Sequence, residues 1–234
     1  MAVSVVIPAL NEETRIGVAI ESALAAGASE VIVCDGGSTD ATVAVAQKAG
    51  ARTLTSERVR ARQLDAGAHA AGGETLLFLH ADTLLPDGAC EAAETALHRG
   101  ALFGGFRIAF IEKGLRLAWT AWAINARTRI TRTPWGDQAQ FVRRDTFFRL
   151  GGYGKAPIME DYDLARRMKR AGDVAILPLA VRTSGRRFLA KGLIRTAAIN
   201  WLIITAWHLG VSPQRLARWY RGESTGRWVD ESTR

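Results

Sequence analysis

The chain has 234 residues, enough for one large domain core with an appendage. Its apolar fraction of 48% and mean hydropathy of +0.01 exclude a polytopic membrane protein. A net charge of +8 and a pI of about 10.2 leave nucleic acid, anionic lipid and phosphorylated small molecules as partner classes. The basic residues are scattered, with no zinc-finger spacing or RNA-binding signature, so no nucleic acid partner is expected. Two cysteines, Cys34 and Cys90, without metal-type spacing, point to a reduced cytoplasmic setting. The start, MAVSVVIPALNEE, lacks a basic region and a cleavage site, so no signal peptide is expected.

In chain order, VSVVIP at 3–8 reads as a buried strand closed by Pro8. Asn11-Glu12-Glu13 then opens a predicted helix to about Ala26, its acids complementing the helix dipole. A second strand, Glu30–Cys34, ends at Asp35-Gly36-Gly37-Ser38-Thr39-Asp40, where Ser38 or Thr39 would cap an alanine-rich helix. Residues 51–55 form a short third strand, and Arg58 to Ala71 a helix. Leu76–Leu79 is a fourth strand, stopping at His80-Ala81-Asp82. Short apolar strands alternating with helices predict a parallel sheet covered on both faces. Asn11 and Glu12, then Asp35, then Asp82, recur at the carboxyl ends of successive strands, where open α/β sheets bind ligands.

The second half is less regular. Leu102–Phe110 reads as a strand in which Gly104-Gly105 marks a bend or a close backbone approach. Residues 113–130 form a predicted amphipathic helix with Trp119 and Trp122, core or interface residues rather than a sugar platform. Trp135-Gly136-Asp137-Gln138 is a polar turn before a strand at 139–143. A Gly-rich loop, Gly151–Gly154, precedes Glu160-Asp161-Tyr162-Asp163, which opens a helix through Ala171. Its Arg166, Arg167, Lys169 and Arg170 read as a solvated face, and His69 and His98 as solvated helix residues. Residues 196–214 contain no charged residue, but Asn200, His208, Gly210 and Pro213 interrupt the run. The spacing predicts a helix of about four turns, in a groove or on a membrane surface, then a short helix from Ser212. Trp201 and Trp207, with Arg195 and Arg215 on the flanks, favour the surface.

Four segments in order, VSVVIPALNEE, VIVCDGGSTDAT, LLFLHADTLLP and EDYDLARRMKRAG, resemble the family 2 glycosyltransferases over residues 3–184. With HAD and WGDQ, the chain is similar to a bacterial subgroup of that family. The resemblance implies the GT-A fold: a Rossmann-like mixed α/β sheet with helices on both faces, spanning 1–187 here. Amphipathic C-terminal helices over 188–221 and a disordered tail over 222–234 would complete the chain. It also implies an inverting, hexosyltransferase-type enzyme that moves a sugar from a nucleotide-diphosphate donor, UDP or GDP, to an acceptor hydroxyl.

By that resemblance a divalent metal, Mg²⁺ or Mn²⁺, is bound by a D-x-D-type motif. Here the motif reads His80-Ala81-Asp82, so its first acid is absent. Asp82 remains as the metal ligand, and His80 either helps hold metal or diphosphate or only packs. Pro8, Ala9, Asn11, Glu12, Asp35, Gly36 and Ala81 would line the nucleotide-sugar pocket. Of Arg58, Arg60 and Arg62, Arg62 is favoured for the diphosphate. Trp135, Asp137 and Gln138 would meet sugar or acceptor, with a structural turn as the alternative. The acid of the E-D pair, Asp161 with Glu160 beside it, would take the acceptor's proton; two adjacent acids can raise one another's pKa.

Two other readings stay open. A degenerate, non-catalytic sugar-nucleotide or lipid-binding relative would explain the missing acid at His80. A sugar-phosphate nucleotidyltransferase would want a Gly-rich phosphate loop after the first strand, where this chain has ALNEET. If 196–214 touches lipid, the acceptor is a lipid or lipid-linked molecule. The enzyme would then sit peripherally on the inner face of the cytoplasmic membrane.

Overall fold

The computed structural model describes residues 2–154 and 156–221. Strands β1 (Val3–Ala9), β2 (Glu30–Asp35), β3 (Arg52–Thr55) and β4 (Thr75–Phe78) pair in parallel, as the apolar runs predict. They join β5 (Thr83–Leu84), β6 (Phe103–Phe110), β7 (Phe141–Arg143) and β8 (Val174–Thr183) in one sheet of order β3-β2-β1-β4-β7-β6-β8-β5. β7 runs against its neighbours β4 and β6, and β5 against β8, so the sheet is mixed.

Both faces of the sheet are buried. Val3, Val5, Ile7, Leu77 and Leu79 point to one side, where α1 (Ile16–Ala25) and α4 (Ala89–His98) cover them with Ile16, Ile20 and Leu97. The alternate positions Val6, Leu76 and Phe78 point to the other. There α3 (Arg60–Ala70) and α7 (Glu160–Ala171) supply Leu64, Leu164 and Met168, and α6 (Arg144–Arg149) supplies Phe147. Alternating burial on two apolar faces is why these strands show no polar period. A Cβ at Gly104 would meet Phe141 Cζ at 2.2 Å, and one at Gly105 would meet Pro134 Cβ at 2.6 Å. The glycine pair thus serves close approach.

Several boundaries move. Helix α1 begins at Ile16 with no acid in its first turn, because Asn11 adopts a left-handed φ of 53° and residues 12–15 form a turn. Ser38 and Thr39 do not cap α2 (Thr42–Lys48); the Asp40 carboxylate accepts the Thr42 N–H at 2.9 Å. Arg166 and Arg167 are not a plain solvated face. Arg166 lies over the Trp207 ring at 4.8 Å, and Arg167 binds Asp163 and the carbonyls of Leu150 and Gly152.

Helix α5 (Leu115–Thr131) leaves Trp119 and Trp122 exposed, so they are not core. The C-terminal segment forms α8 (Arg186–Lys191), α9 (Leu193–His208) and α10 (Pro213–Arg221). Ile203, Ala206 and Leu216 close a small core against Ile158 and Met159 at the start of α7. Among the described residues, no helix is long and apolar enough to cross a membrane. The expected tail at 222–234 lies outside the described residues.

Candidate active site

The carboxyl ends of β1 and β2 are tied together by Gln63 from α3. Its buried amide donates to the carbonyls of Ala9 and Cys34, both at 2.8 Å. Gly36 N–H also donates to Ala9 C=O at 2.9 Å, and a Cβ at Gly36 would come 2.9 Å from Gln63 Nε2. Asp35 is buried, and its carboxylate takes the Gly37 and Ser38 N–H groups at 2.9 Å each and the Ser38 hydroxyl. Ser38 Oγ accepts from Asn11 N–H at 2.9 Å, Asn11 Oδ1 accepts from Thr39 N–H at 2.9 Å, and Thr42 Oγ1 accepts from Glu12 N–H at 2.8 Å. Pro8 and Ala9 pair with Cys34 and Asp35 in the same register. Pro8, Ala9, Asn11, Glu12, Asp35 and Gly36 therefore share one sheet edge. The side chains of Asn11 and Asp35 brace the two loops there.

Next along that edge is the turn from β4 to β5, His80-Ala81-Asp82, closed by Thr83 N–H donating to His80 C=O at 3.1 Å. Asp82 C=O accepts from Ser184 N–H at 3.2 Å, which joins this turn to the end of β8. Arg186, two residues on, donates to Glu12 Oε1 at 2.8 Å and stands 3.8 Å from Asp82 Oδ2. Arg15 holds the other Glu12 oxygen at 3.4 Å. Asp82 and His80 are the donors this turn offers a metal; the described residues contain no group of three His, Cys, Asp or Glu placed to hold one.

Asp161 opens α7 beside that turn. Its Oδ2 accepts the Gly136 N–H at 2.7 Å and its Oδ1 accepts the Tyr162 N–H at 2.7 Å. Gln140 donates to its backbone carbonyl at 3.0 Å. A Cβ at Gly136 would lie 2.9 Å from His80 Nε2 and 3.0 Å from Asp161 Oδ2, so imidazole and carboxylate flank one glycine. Glu160 is buried and 3.7 Å from Arg60 Nη1. Burial, then Asp161, raises the Glu160 pKa, with Arg60 opposing. Glu160, then Asp161, Tyr220 and Asp82, raise the Arg60 pKa, although half of its side chain is exposed. Of the arginine cluster it is thus Arg60 that faces the acids. Arg62, the residue favoured from sequence, is 4.0 Å from Glu57 on the loop before α3.

The turn Trp135–Gln138 divides. Gln138 is wholly buried: its Oε1 accepts from Trp135 N–H at 3.1 Å and Thr128 Oγ1 at 2.8 Å, and its Nε2 donates to Phe106 C=O at 2.9 Å. These partners make it a brace of the turn. Arg127 lies 3.6 Å over the Trp135 ring, its pKa lowered to about 10 by burial against the pull of Asp137 and Asp161. Gln63, Arg127, Gln140 and Arg186 are the residues of this edge that sequence reading missed. Gln63 carried one signal: it stands four residues before Gly67 on an alanine-rich helix face, the spacing of one packed side. Arg186 becomes visible only once β8 is recognised, since it too follows the carboxyl end of a strand.

This architecture is the GT-A glycosyltransferase fold. The family profile described as glycosyl transferase family 2 matches residues 4–153, and the chain belongs to that family. Among solved structures, it resembles glucosyl-3-phosphoglycerate synthase from Mycobacterium tuberculosis in complex with Mg²⁺ and uridine diphosphate (22% identity, TM-score 0.56, covering 76% of this chain and 69% of that one). It also resembles a mycobacterial protein (23%, 0.54, 78% and 65%) and S. aureus TarS (15%, 0.62, 79% and 37%). At these identities the likeness shows the fold. A comparison with curated protein sequences gave no match.

Proposed function

We propose that the chain is an inverting glycosyltransferase that moves a sugar from a UDP- or GDP-linked donor to an acceptor hydroxyl, with Asp161 as the general base. The observation that carries this reading is the placement of Asp161. Two backbone N–H groups fix its carboxylate, at 2.7 Å each, beside His80 and next to the Arg60–Glu160 pair. A carboxylate has about four acceptor positions, so a proton-accepting site remains after both bonds.

Asp82 and His80 would be the residues that hold a Mg²⁺ or Mn²⁺ ion, an open pair of donors rather than a closed protein cage. Another solved structure of that synthase, 24% identical to this chain, is in complex with Mn²⁺, uridine diphosphate and glucosyl-3-phosphoglycerate, which supports a divalent metal and a nucleoside diphosphate as ligands. Such a cation supplies charge neutralisation as the nucleoside diphosphate departs. The protein's own cations are Arg60, beside the acids, and Arg186, beside Asp82. Both suit negative charge building on phosphate oxygens. Glu160, buried against Arg60, positions that guanidinium, and Asp161 takes the acceptor proton.

The test is a nucleoside-diphosphate release assay with a panel of nucleotide sugars, with and without Mn²⁺. Wild type should release diphosphate in a metal-dependent way, and Asp161→Asn should lower turnover about 100-fold or more while keeping its fold. Near-normal turnover in Asp161→Asn would remove Asp161 as the base. No release from any donor would leave the non-catalytic reading.

A second reading concerns location. Trp201 on α9 and Leu209 just past its end are 66% and 79% exposed, on a chain of net charge +8. This supports peripheral contact with an anionic membrane and a lipid-linked acceptor. Sedimentation with anionic liposomes, lost in Trp201→Ser/Leu209→Ser, would support it; equal solubility with and without lipid would end it.

A further inference from the structure

Arg186 is bound to two carboxylates that belong to different parts of the chain. Its Nη2 donates to Glu12 Oε1 at 2.8 Å, beyond the end of β1, and lies 3.8 Å from Asp82 Oδ2, beyond β4. Arg15 holds Glu12 from the other side at 3.4 Å. The base of the Arg186 segment is firm. Glu112 accepts the Ser184 hydroxyl at 2.9 Å and the Gly185 N–H at 2.6 Å, and Ser184 N–H is fixed to Asp82 C=O at 3.2 Å. The guanidinium itself is on the open side of this anchor, with 44% of its side chain exposed. A firm base and a solvent-facing tip leave the charge free to choose between neighbouring partners.

Those partners are in competition. A divalent cation at Asp82 would meet a positive guanidinium across the same carboxylate, and like charges that close repel. A diphosphate at the same edge offers the guanidinium a planar, bidentate anion, a better match than a single carboxylate oxygen.

We propose that Arg186 is an exchangeable counter-ion of the donor site: it neutralises Glu12 and Asp82 in the free enzyme, keeps metal affinity low there, and turns to the diphosphate when donor and metal bind together. Glu12, held by Arg15, keeps the guanidinium within reach of both positions. The consequence is coupling: the protein takes up cation with nucleotide rather than alone. The inference rests on the glycosyltransferase reading above and deepens it.

The experiment measures two affinities by titration, without turnover. One is for Mn²⁺ alone, from free Mn²⁺ by electron paramagnetic resonance. The other is for UDP, GDP, ADP, CDP and dTDP at saturating Mn²⁺, by calorimetry. Arg186→Gln should bind Mn²⁺ alone at least about threefold more tightly than wild type, since an interfering ion pair is gone. It should bind the preferred diphosphate about tenfold more weakly, having lost a charge-assisted contact. Arg186→Lys, which keeps the charge, should stay within about twofold of wild type for Mn²⁺ alone. A purely structural role would weaken both affinities in Arg186→Gln, and that result overturns the proposal. So does an unchanged Mn²⁺ affinity; in either case normal diphosphate binding by wild type leaves the glycosyltransferase reading standing. If wild type binds none of the five diphosphates with Mn²⁺, that reading and the exchange role both fall.

Discussion

The Gly136 N–H donates to Asp161 Oδ2 at 2.7 Å, across 25 residues of sequence. The bond aims one acid of an adjacent pair while its neighbour, Glu160, turns into the interior toward Arg60. Two carboxylates next to each other in the chain thereby acquire different surroundings and different work.

Gly136→Ala tests that aim directly. The added methyl would stand 2.9 Å from His80 Nε2 and 3.0 Å from Asp161 Oδ2, and both groups must shift. A misplacement of about 1 Å near a reacting group costs about 100-fold in rate, and the smaller shift needed here about 10-fold. We expect kcat to fall by about 10-fold with the circular dichroism spectrum unchanged. Turnover close to wild type would show that Asp161 does not depend on this bond.

Arg60 and Arg62 separate in their partners. Arg60 stands 3.7 Å from Glu160, whereas Arg62 is 4.0 Å from the exposed Glu57. Arg60→Gln should lower kcat/KM for the donor by about 10- to 100-fold, the scale of a charge-assisted hydrogen bond. Arg62→Gln should stay within about twofold, as exposed ion pairs contribute little. The reverse ranking would return the diphosphate role to Arg62.

Glu160 gives a pH signature. Burial, then Asp161, raises its pKa above the ordinary 4.5, against Arg60. A group raised in the folded state favours folding below its unfolded pKa, and that contribution disappears as pH rises through the folded value. Glu160→Gln cannot titrate. The melting temperature of wild type minus that of Glu160→Gln should therefore fall as pH rises from about 4 to 7. A difference that grows over this range would mean that the Arg60 pair dominates.

Gln63→Ala removes the donor shared by the carbonyls of Ala9 and Cys34, 2.8 Å from each. Two buried acceptors lose a partner, at a cost of about 1–3 kcal/mol. Urea unfolding should show a lower midpoint with an unchanged slope. A midpoint equal to wild type would show that water replaces the amide without loss.

Local chemistry alone determined the first half of the fold. β1, β2 and β4 are short runs buried on both faces, so their lack of a polar period marks a covered parallel sheet whatever surrounds them. The same strands placed Asp35 and Asp82 at one edge, because parallel neighbours end on the same side. The resemblance pointed to Asp161. Tertiary structure decided the partners. Asn11 takes a left-handed turn instead of starting a helix because Ser38 and Thr39 meet it from 27 and 28 residues away. Gln138 proved to be a brace because its amide meets Thr128 and Phe106. Arg60 meets Glu160, and Arg186 meets Asp82, because a side chain's direction on a helix and the crossing of β8 beside β6 are settled only by packing between distant segments. Periodicity reports which residues leave water; it does not report which charges they meet when they do.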